Sequence, residues 1–400
     1  MSLRQFLFYV HQYLGLFAFA FLLAAGVTGA VLVFKDELDA GLNADLFRRE
    51  GAAQPTPSAA LAMADRVQAA HGDLWIHRVN LRGGDGASLQ FIVEARDAAK
   101  PLDHNEMFVD PADGTLVGQR QNEPGWGPRQ IVNGLFIFHA NLLAGEFGRI
   151  LMGIVAVAWT ISALAGLYLT FPQTAPFWRK WGHAWVLKLR SRLPRFMLDL
   201  HKASGLWLFI PTLLLAITSV ALNFYYEAAE PVALSLSPAL SPSPFEPGAR
   251  SVPAGHTPTR TFSDIFPLAE DAAARRAPAL EPTFAEYLPE YGLYAVAYVT
   301  KGADTYANLG PVFFLYDDTT GAPVYTDDPY NDGAGRATLR SIYPLHSGRV
   351  WGWPTRILVL ILGLATVEMA ITGFYVWWRK TGRNLFRRGL PATPPSASAQ

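Results

Sequence analysis

Residues 11–34 read HQYLGLFAFAFLLAAGVTGAVLVF, and residues 201–224 read HKASGLWLFIPTLLLAITSVALNF. A helix that crosses the roughly 30 Å hydrocarbon layer needs about 20 mostly apolar residues, because each adds about 1.5 Å and every backbone amide must be satisfied within the segment. Both stretches meet that requirement. Working outward, so do two more, and the four apolar blocks cover residues 14–34, 150–171, 206–224 and 357–378. The expected fold is an α-helical membrane protein whose transmembrane part is a four-helix bundle.

The two quoted stretches also match each other. His11, Gly15, Thr28 and Phe34 recur at a constant offset as His201, Gly205, Thr218 and Phe224. A second block repeats at its own offset: Asp110, Gly114, Arg129, His139, Arg149, Gly166 and Tyr168 match Asp317, Gly321, Arg336, His346, Arg356, Gly373 and Tyr375 without a gap. Such self-similarity reads as a parallel duplication, its halves related by an axis along the membrane normal.

Half of the 400 residues are hydrophobic, and the formal net charge is zero, which gives no reason to expect nucleic acid as a partner. Cysteine is absent. That removes disulfides, iron–sulfur clusters, thiolate haem ligands and cysteine nucleophiles together. The first apolar block is too long for a signal peptide, and no small-residue cleavage site precedes Lys35 and Asp36, so it reads as a retained span.

Basic residues set the orientation. Arg179, Lys180, Lys188, Arg190, Arg192 and Arg195 lie between the second and third blocks, and Arg379, Lys380, Arg383, Arg387 and Arg388 follow the fourth. Both regions belong in the cytoplasm. The expectation is a multi-pass protein of a bacterial inner membrane, with cytoplasmic N- and C-termini and with residues 35–148 and 225–356 in the periplasm. Trp126, Trp351 and Trp353 outside, and Trp178, Trp181, Trp185, Trp377 and Trp378 inside, suit the two aromatic belts.

Each outside segment reads as a small α+β unit. The first has a helix at 58–70, strands at 74–81, 88–95 and 106–109, and a turn at 110–114; the second has a helix near 263–276, strands at 283–288, 291–301 and 312–316, and a turn at 317–321. Residues 231–258, rich in Pro, Ser and Ala, read as an extended linker, and the tail after Leu390 as disordered. The division is then a first span at 1–34, an outer domain at 35–130, and a second span with outer extension at 131–171. A cytoplasmic loop at 172–197 and a third span at 198–226 follow. Linker and second outer domain occupy 227–340, the fourth span with its outer extension 341–379, and the tail 380–400.

Four of the nine histidines sit at the ends of the membrane blocks, and they are the four that the repeats relate. His11 and His201 mark the cytoplasmic starts of the first and third spans; His139 and His346 precede the second and fourth on the outside. If helices continue a few turns beyond the hydrocarbon, as the apolar run at 131–143 permits, each pair can face across the bundle at one membrane level. Two neutral imidazoles so placed supply both axial bonds of an iron porphyrin, leaving a six-coordinate metal suited to electron transfer. One pair per leaflet makes two b-type haems.

Gly15 and Gly205, one turn after their histidines, leave room for a flat macrocycle to approach the backbone, or alternatively support close helix packing. Arg149 and Arg356 outside, and Lys202 and Arg195 inside, are candidates to pair with haem propionates. The two arginines serve equally well as interface anchors. His71, His77, His104, His183 and His256 have no repeat partner and read as surface or core residues. Glu368, well inside the fourth span, has Ile161 as its repeat counterpart; it either takes up a proton as an electron crosses or hydrogen-bonds a Thr or Ser, the second reading being slightly favoured.

The pattern resembles the PepSY-associated transmembrane proteins, a family that includes iron-regulated inner-membrane proteins and ferric siderophore reductases. The element from His11 to Gly15, the element from Leu200 through His201 to Trp207, the surroundings of Phe138 and His139, and Leu345, His346, Ser347 and Gly348 carry the resemblance, which runs from Phe6 to about Arg388. It implies two PepSY-like periplasmic α+β domains and, in the reductase members, two bis-histidine haems, His11 with His201 on the cytoplasmic side and His139 with His346 on the periplasmic side. The implied function is a dihaem oxidoreductase that reduces ferric siderophore. Its electrons would come from a cytoplasmic flavoprotein or the quinol pool, since no Rossmann-type glycine-rich turn is present. No motif names catalytic residues. Two other readings remain open: a haem-free periplasmic binding or peptidase-regulatory protein, and a siderophore or metal permease, the latter disfavoured by an expected lack of interrupted helices.

Overall fold

The computed structural model describes residues 1–237, 243–246, 248–253, 255–277 and 279–382. It divides into a helical unit, Met1–Val31 with His139–Asn223 and Ile357–Gln400, and a sheet unit, Leu32–Phe138 with Phe224–Arg356. Arg383, Arg387, Arg388 and the tail after Leu390 lie outside the described residues.

In the helical unit, Leu3–Leu32, Gly145–Thr170 and Trp353–Lys380 are each long and apolar enough to cross a membrane. A further crossing comes from Leu193–Trp207 and Phe209–Asn223 where these count as one span, but the two are bent by 75°. Large apolar side chains such as Phe17, Ile154, Ile217 and Ile361 are exposed on these helices, as lipid contact requires. The first and last of these helices approach closely at Gly26 and Gly363. A Cβ at Gly26 would stand 2.9 Å from the Gly363 carbonyl oxygen, and one at Gly363 3.0 Å from that of Gly26. Small residues let membrane helices pack backbone to backbone. Gly145–Thr170 packs on Phe209–Asn223, where Ala156 and Ala216 are buried.

Three expectations about these helices change. The third span is interrupted, and Pro211 supplies the cause: it has no N–H for the Trp207 carbonyl and its ring crowds that turn, so the helix breaks at Leu208. The objection that interrupted helices are lacking therefore fails. The outer extension of the second span is a separate helix, Ile131–Asn141, ended by left-handed Leu142 and Leu143. Likewise Gly333–Ser347 ends at left-handed Gly348 before Trp353–Trp377 begins.

The sheet unit is built from eight strands: β1 Leu74–Asn80, β2 Leu89–Ala95, β3 Glu106–Val109, β4 Leu116–Arg120, β5 Leu280–Leu288, β6 Leu293–Thr300, β7 Val312–Asp317 and β8 Pro323–Asp327. Instead of two separate domains they form one sheet, in the order β4-β3-β2-β1-β5-β6-β7-β8. Two four-stranded meanders thus meet at the antiparallel β1–β5 seam, where Val79 pairs with Ala285. Pairing the two edges removes two exposed rows of backbone donors and acceptors. Helices Pro57–Ala70 and Phe262–Arg276 pack on the sheet and on each other, over a shared core that includes Leu61, Ile76, Phe91, Phe266 and Tyr298. The Asp65 carboxylate accepts the N–H groups of Phe262 and Ser263 at 3.0 and 2.9 Å, so one helix caps the other. Within the stretch read as a linker, Glu230–Leu236 is helical, while residues 238–242, 247 and 254 lie outside the described residues.

Candidate functional site

His11 lies within the first helix and His201 within Leu193–Trp207. Their ring centres are 6.0 Å apart, with the planes at 55°. The Nδ1 of His11 is 2.9 Å from both the carbonyl oxygen and the hydroxyl of Ser162. The Nδ1 of His201 is 3.1 Å from the carbonyl oxygen of Met369 and 3.1 Å from the Thr372 hydroxyl. A carbonyl oxygen can only accept, so Nδ1 carries the proton in each ring and Nε2 carries the lone pair. Each imidazole is thereby locked in the tautomer that a metal ligand through Nε2 requires.

Two glycines seat the rings. A Cβ at Gly166 would stand 3.0 Å from Cε1 of His11, and one at Gly373 3.1 Å from Cε1 of His201. The glycines singled out from sequence lie farther off: a Cβ at Gly15 would meet only Ser162 Oγ at 3.8 Å, and one at Gly205 only Met369 Sδ at 3.7 Å. Gly166 and Gly373 were visible in the repeat, yet only the fold places them against the histidines. Gly15 and Gly205 nonetheless line the same cavity of about 340 Å³, together with His11, His201, Trp159 and Trp377. That volume is in the range of small-ligand and cofactor sites. Its wall is mostly apolar, with Gln12, Lys202 and Lys380 and the hydroxyls of Ser162, Thr170, Thr212 and Thr366 as polar members.

These residues fit a metal held between two imidazoles. Metal–imidazole bonds of about 2 Å on either side put the ring centres of such a pair about 6 Å apart. The chemistry of the donor set agrees: two neutral nitrogen ligands in a largely apolar slot, with two lysines on its lining.

His139 uses the same device. Its Nδ1 is 2.9 Å from the Thr28 hydroxyl, which itself donates to the Ala24 carbonyl, and a Cβ at Gly29 would stand 3.0 Å from His139 Cε1. His346 lies in the last turn of Gly333–Ser347, in the sheet unit. The arginines are engaged by protein groups: Arg149 with the Glu146 carboxylate and the Asn223 carbonyl, Arg356 with Glu37 at 2.7 Å and the Val33 carbonyl. On the inner side Arg195 Nε bonds the buried Asp199 carboxylate at 2.8 Å, with Lys202 3.6 Å from its other oxygen.

The chain matches the sequence profile of the PepSY-associated TM region over residues 8–380. It belongs to that family. The match takes in the membrane helices and the sheet unit alike, and makes the chain a membrane protein of the PepSY-associated type. No curated protein sequence matches it.

The remaining site residues separate by surroundings. The Glu368 carboxyl oxygen Oε1 is 3.1 Å from the Thr372 hydroxyl, one turn on in the same helix. Among the unrepeated histidines, His256 Nε2 bonds the buried Asp318 carboxylate at 2.7 Å, and His104 sits between Asp103 and Gln119. Both are tied into the sheet unit's own polar network.

Proposed function

We propose that this chain is a dihaem b-type electron-transfer protein of the bacterial inner membrane, an oxidoreductase that passes electrons outward to reduce ferric siderophore. The observation that carries the reading is the His11–His201 pair, 6.0 Å apart, with both Nδ1 atoms bonded to backbone carbonyls beside an apolar cavity. His11 and His201 would hold one haem, and the duplication in the sequence gives His139 and His346 the same role toward a second. Bis-histidine haem supplies reversible one-electron chemistry without an open coordination site.

The protein's own residues do the rest. Ser162 and Met369 fix the tautomers through their carbonyls, Gly166 and Gly373 let the rings lie against the helix backbone, and the mostly apolar wall suits a flat hydrophobic macrocycle. Lys202 and Lys380, on the cavity lining, are donors suited to propionates. The donor would be a cytoplasmic flavoprotein or the quinol pool. Reduction would favour release of iron because oxygen-rich chelators prefer the harder ferric ion. The basic flanks support a cytoplasmic side for both termini and for residues 172–197.

A dithionite-reduced minus oxidised visible spectrum of the detergent-purified protein, with pyridine-haemochrome quantification, tests this. Two b-type haems per chain support it, and a colourless protein expressed with ample haem rejects it. One observation favours a second reading. The break at Leu208 is the kind of discontinuous helix that lines transport sites, so a siderophore or metal permease remains in contention. Movement of a chelate into liposomes without any reductant would support that alternative.

A further inference from the structure

The two halves of the inner site are equivalent in backbone but not in polarity. Ser162 and Met369 occupy matching positions of the repeat and both present a carbonyl to a histidine Nδ1. Around His201, however, the hydrogen bonding continues. Its Nδ1 is 3.1 Å from Thr372 Oγ1, whose hydroxyl is shared between the Glu368 backbone carbonyl at 2.9 Å and the Glu368 carboxyl oxygen Oε1 at 3.1 Å. In the first half His11 Nδ1 also meets a hydroxyl, that of Ser162 at 2.9 Å, but the positions matching Thr372 and Glu368 hold Ala165 and Ile161, neither of which has a polar side chain, so no carboxyl group follows.

We infer that Glu368, acting through Thr372, is a positioning residue that makes His201 the more strongly electron-donating of the two imidazoles. This rests on the haem reading above. The order of the hydrogen bonds gives the direction: Nδ1–H of His201 donates to Thr372 Oγ1, and the Thr372 hydroxyl has the Glu368 carboxyl oxygen as one of its two near acceptors. Each donor is polarised by the next acceptor, as in the carboxylate–histidine pairs that raise ligand basicity at metal sites. A more basic Nε2 favours the more positive, ferric state of a metal bound there. Of the pair only His201 has this carboxyl support, so Ile161→Val, at the position matching Glu368, provides a neutral reference.

The test is a spectroelectrochemical titration of purified full-length protein, wild type beside Glu368→Gln, Thr372→Val and Thr372→Ser, with haem content measured first. Gln keeps the shape and the acceptor oxygen but removes the charge; Ser keeps the hydroxyl that Val removes. The inference expects haem content to be retained in Glu368→Gln. It expects one of the two midpoint potentials to rise in Glu368→Gln and Thr372→Val, with Thr372→Ser and Ile161→Val near wild type. It also expects Glu368→Gln to have little further effect when Thr372→Val is already present. Unchanged potentials in haem-replete variants would overturn it and leave the haem reading intact. Additive shifts in the double variant would also overturn it, since the carboxylate would then act without Thr372. A wild-type protein without haem would remove both readings.

Discussion

The carbonyl oxygen of Met369 stands 3.1 Å from Nδ1 of His201, and the carbonyl of Ser162, at the matching place in the repeat, stands 2.9 Å from Nδ1 of His11. One hydrogen bond has thus been kept in both halves although the residue supplying it differs, because the backbone supplies the acceptor. The consequence is a pair of rings with Nε2 lone pairs, usable only jointly if one metal takes both. His11→Ala and His201→Ala should therefore each reduce haem from about two to about one per chain, since a bis-histidine site needs both ligands. Pyridine-haemochrome assay of the two single variants and the double variant checks this. A double variant that loses more than either single would argue against a shared group.

Gly166→Ala and Gly373→Ala address how the rings are seated. The added methyl would come within 3.0 Å of His11 Cε1 or 3.1 Å of His201 Cε1, closer than ordinary contact, so the ring must turn away. Holding a side chain about 30° off its rotamer costs on the order of 1 kcal/mol, and the expected outcome is a several-fold weaker haem retention with a shifted α band. Gly15→Ala, whose methyl would meet only Ser162 Oγ at 3.8 Å, should leave the rings in place. Haem loss on dilution, followed by absorbance, measures all three.

What the sequence shows and what it hides divide along physical lines. Long apolar runs are non-negotiable in a bilayer, so all four blocks are found in helices. The break at Leu208 was also written in the sequence, in Pro211, but an apolar window is blind to a missing N–H. Strands β4 and β8 went unread because each is short and partly exposed, and β8 starts on Pro323, as an edge strand permits. The joining of two meanders into one sheet depends on a pairing between residues some 200 apart, which period-two alternation cannot reveal. The histidines stood out through duplication, whereas Gly166 and Gly373 needed the helices to be packed before their role could be seen.

The cap across the two outer helices gives a stability prediction. Asp65 accepts the N–H groups of Phe262 and Ser263, donors that an isolated helix N-terminus would leave without partners. Asp65→Ala should destabilise the sheet unit by about 1 kcal/mol, the usual loss when a carboxylate cap is removed. Asp65→Asn should recover part of that, because its amide oxygen still accepts. Thermal unfolding of the detergent-solubilised variants, followed by far-UV circular dichroism, provides the comparison.

Asp317 makes the stability of the second turn depend on acid. Burial acts to raise its pKa, but the Thr320 backbone N–H, the Arg250 guanidinium, the Thr320 hydroxyl and the Thr319 N–H together hold it well below the usual carboxylate range. The bonds are short, 2.7 Å from Thr320 N and 2.6 Å from Arg250 Nη2. A carboxylate whose folded pKa is depressed contributes stability that is fully present above its unfolded pKa of about 3.9 and is lost as pH falls through the folded value. Asp317→Asn should therefore cost about 2 kcal/mol at pH 7, in the range for hydrogen bonds to a charged group. The gap between variant and wild type should narrow progressively below about pH 4, as the wild-type carboxylate gains its proton. Denaturant melts of both proteins at pH 7, 5, 4 and 3 follow that gap directly. A difference that stays constant across the series would mean that Asp317 holds the turn by shape and not by charge.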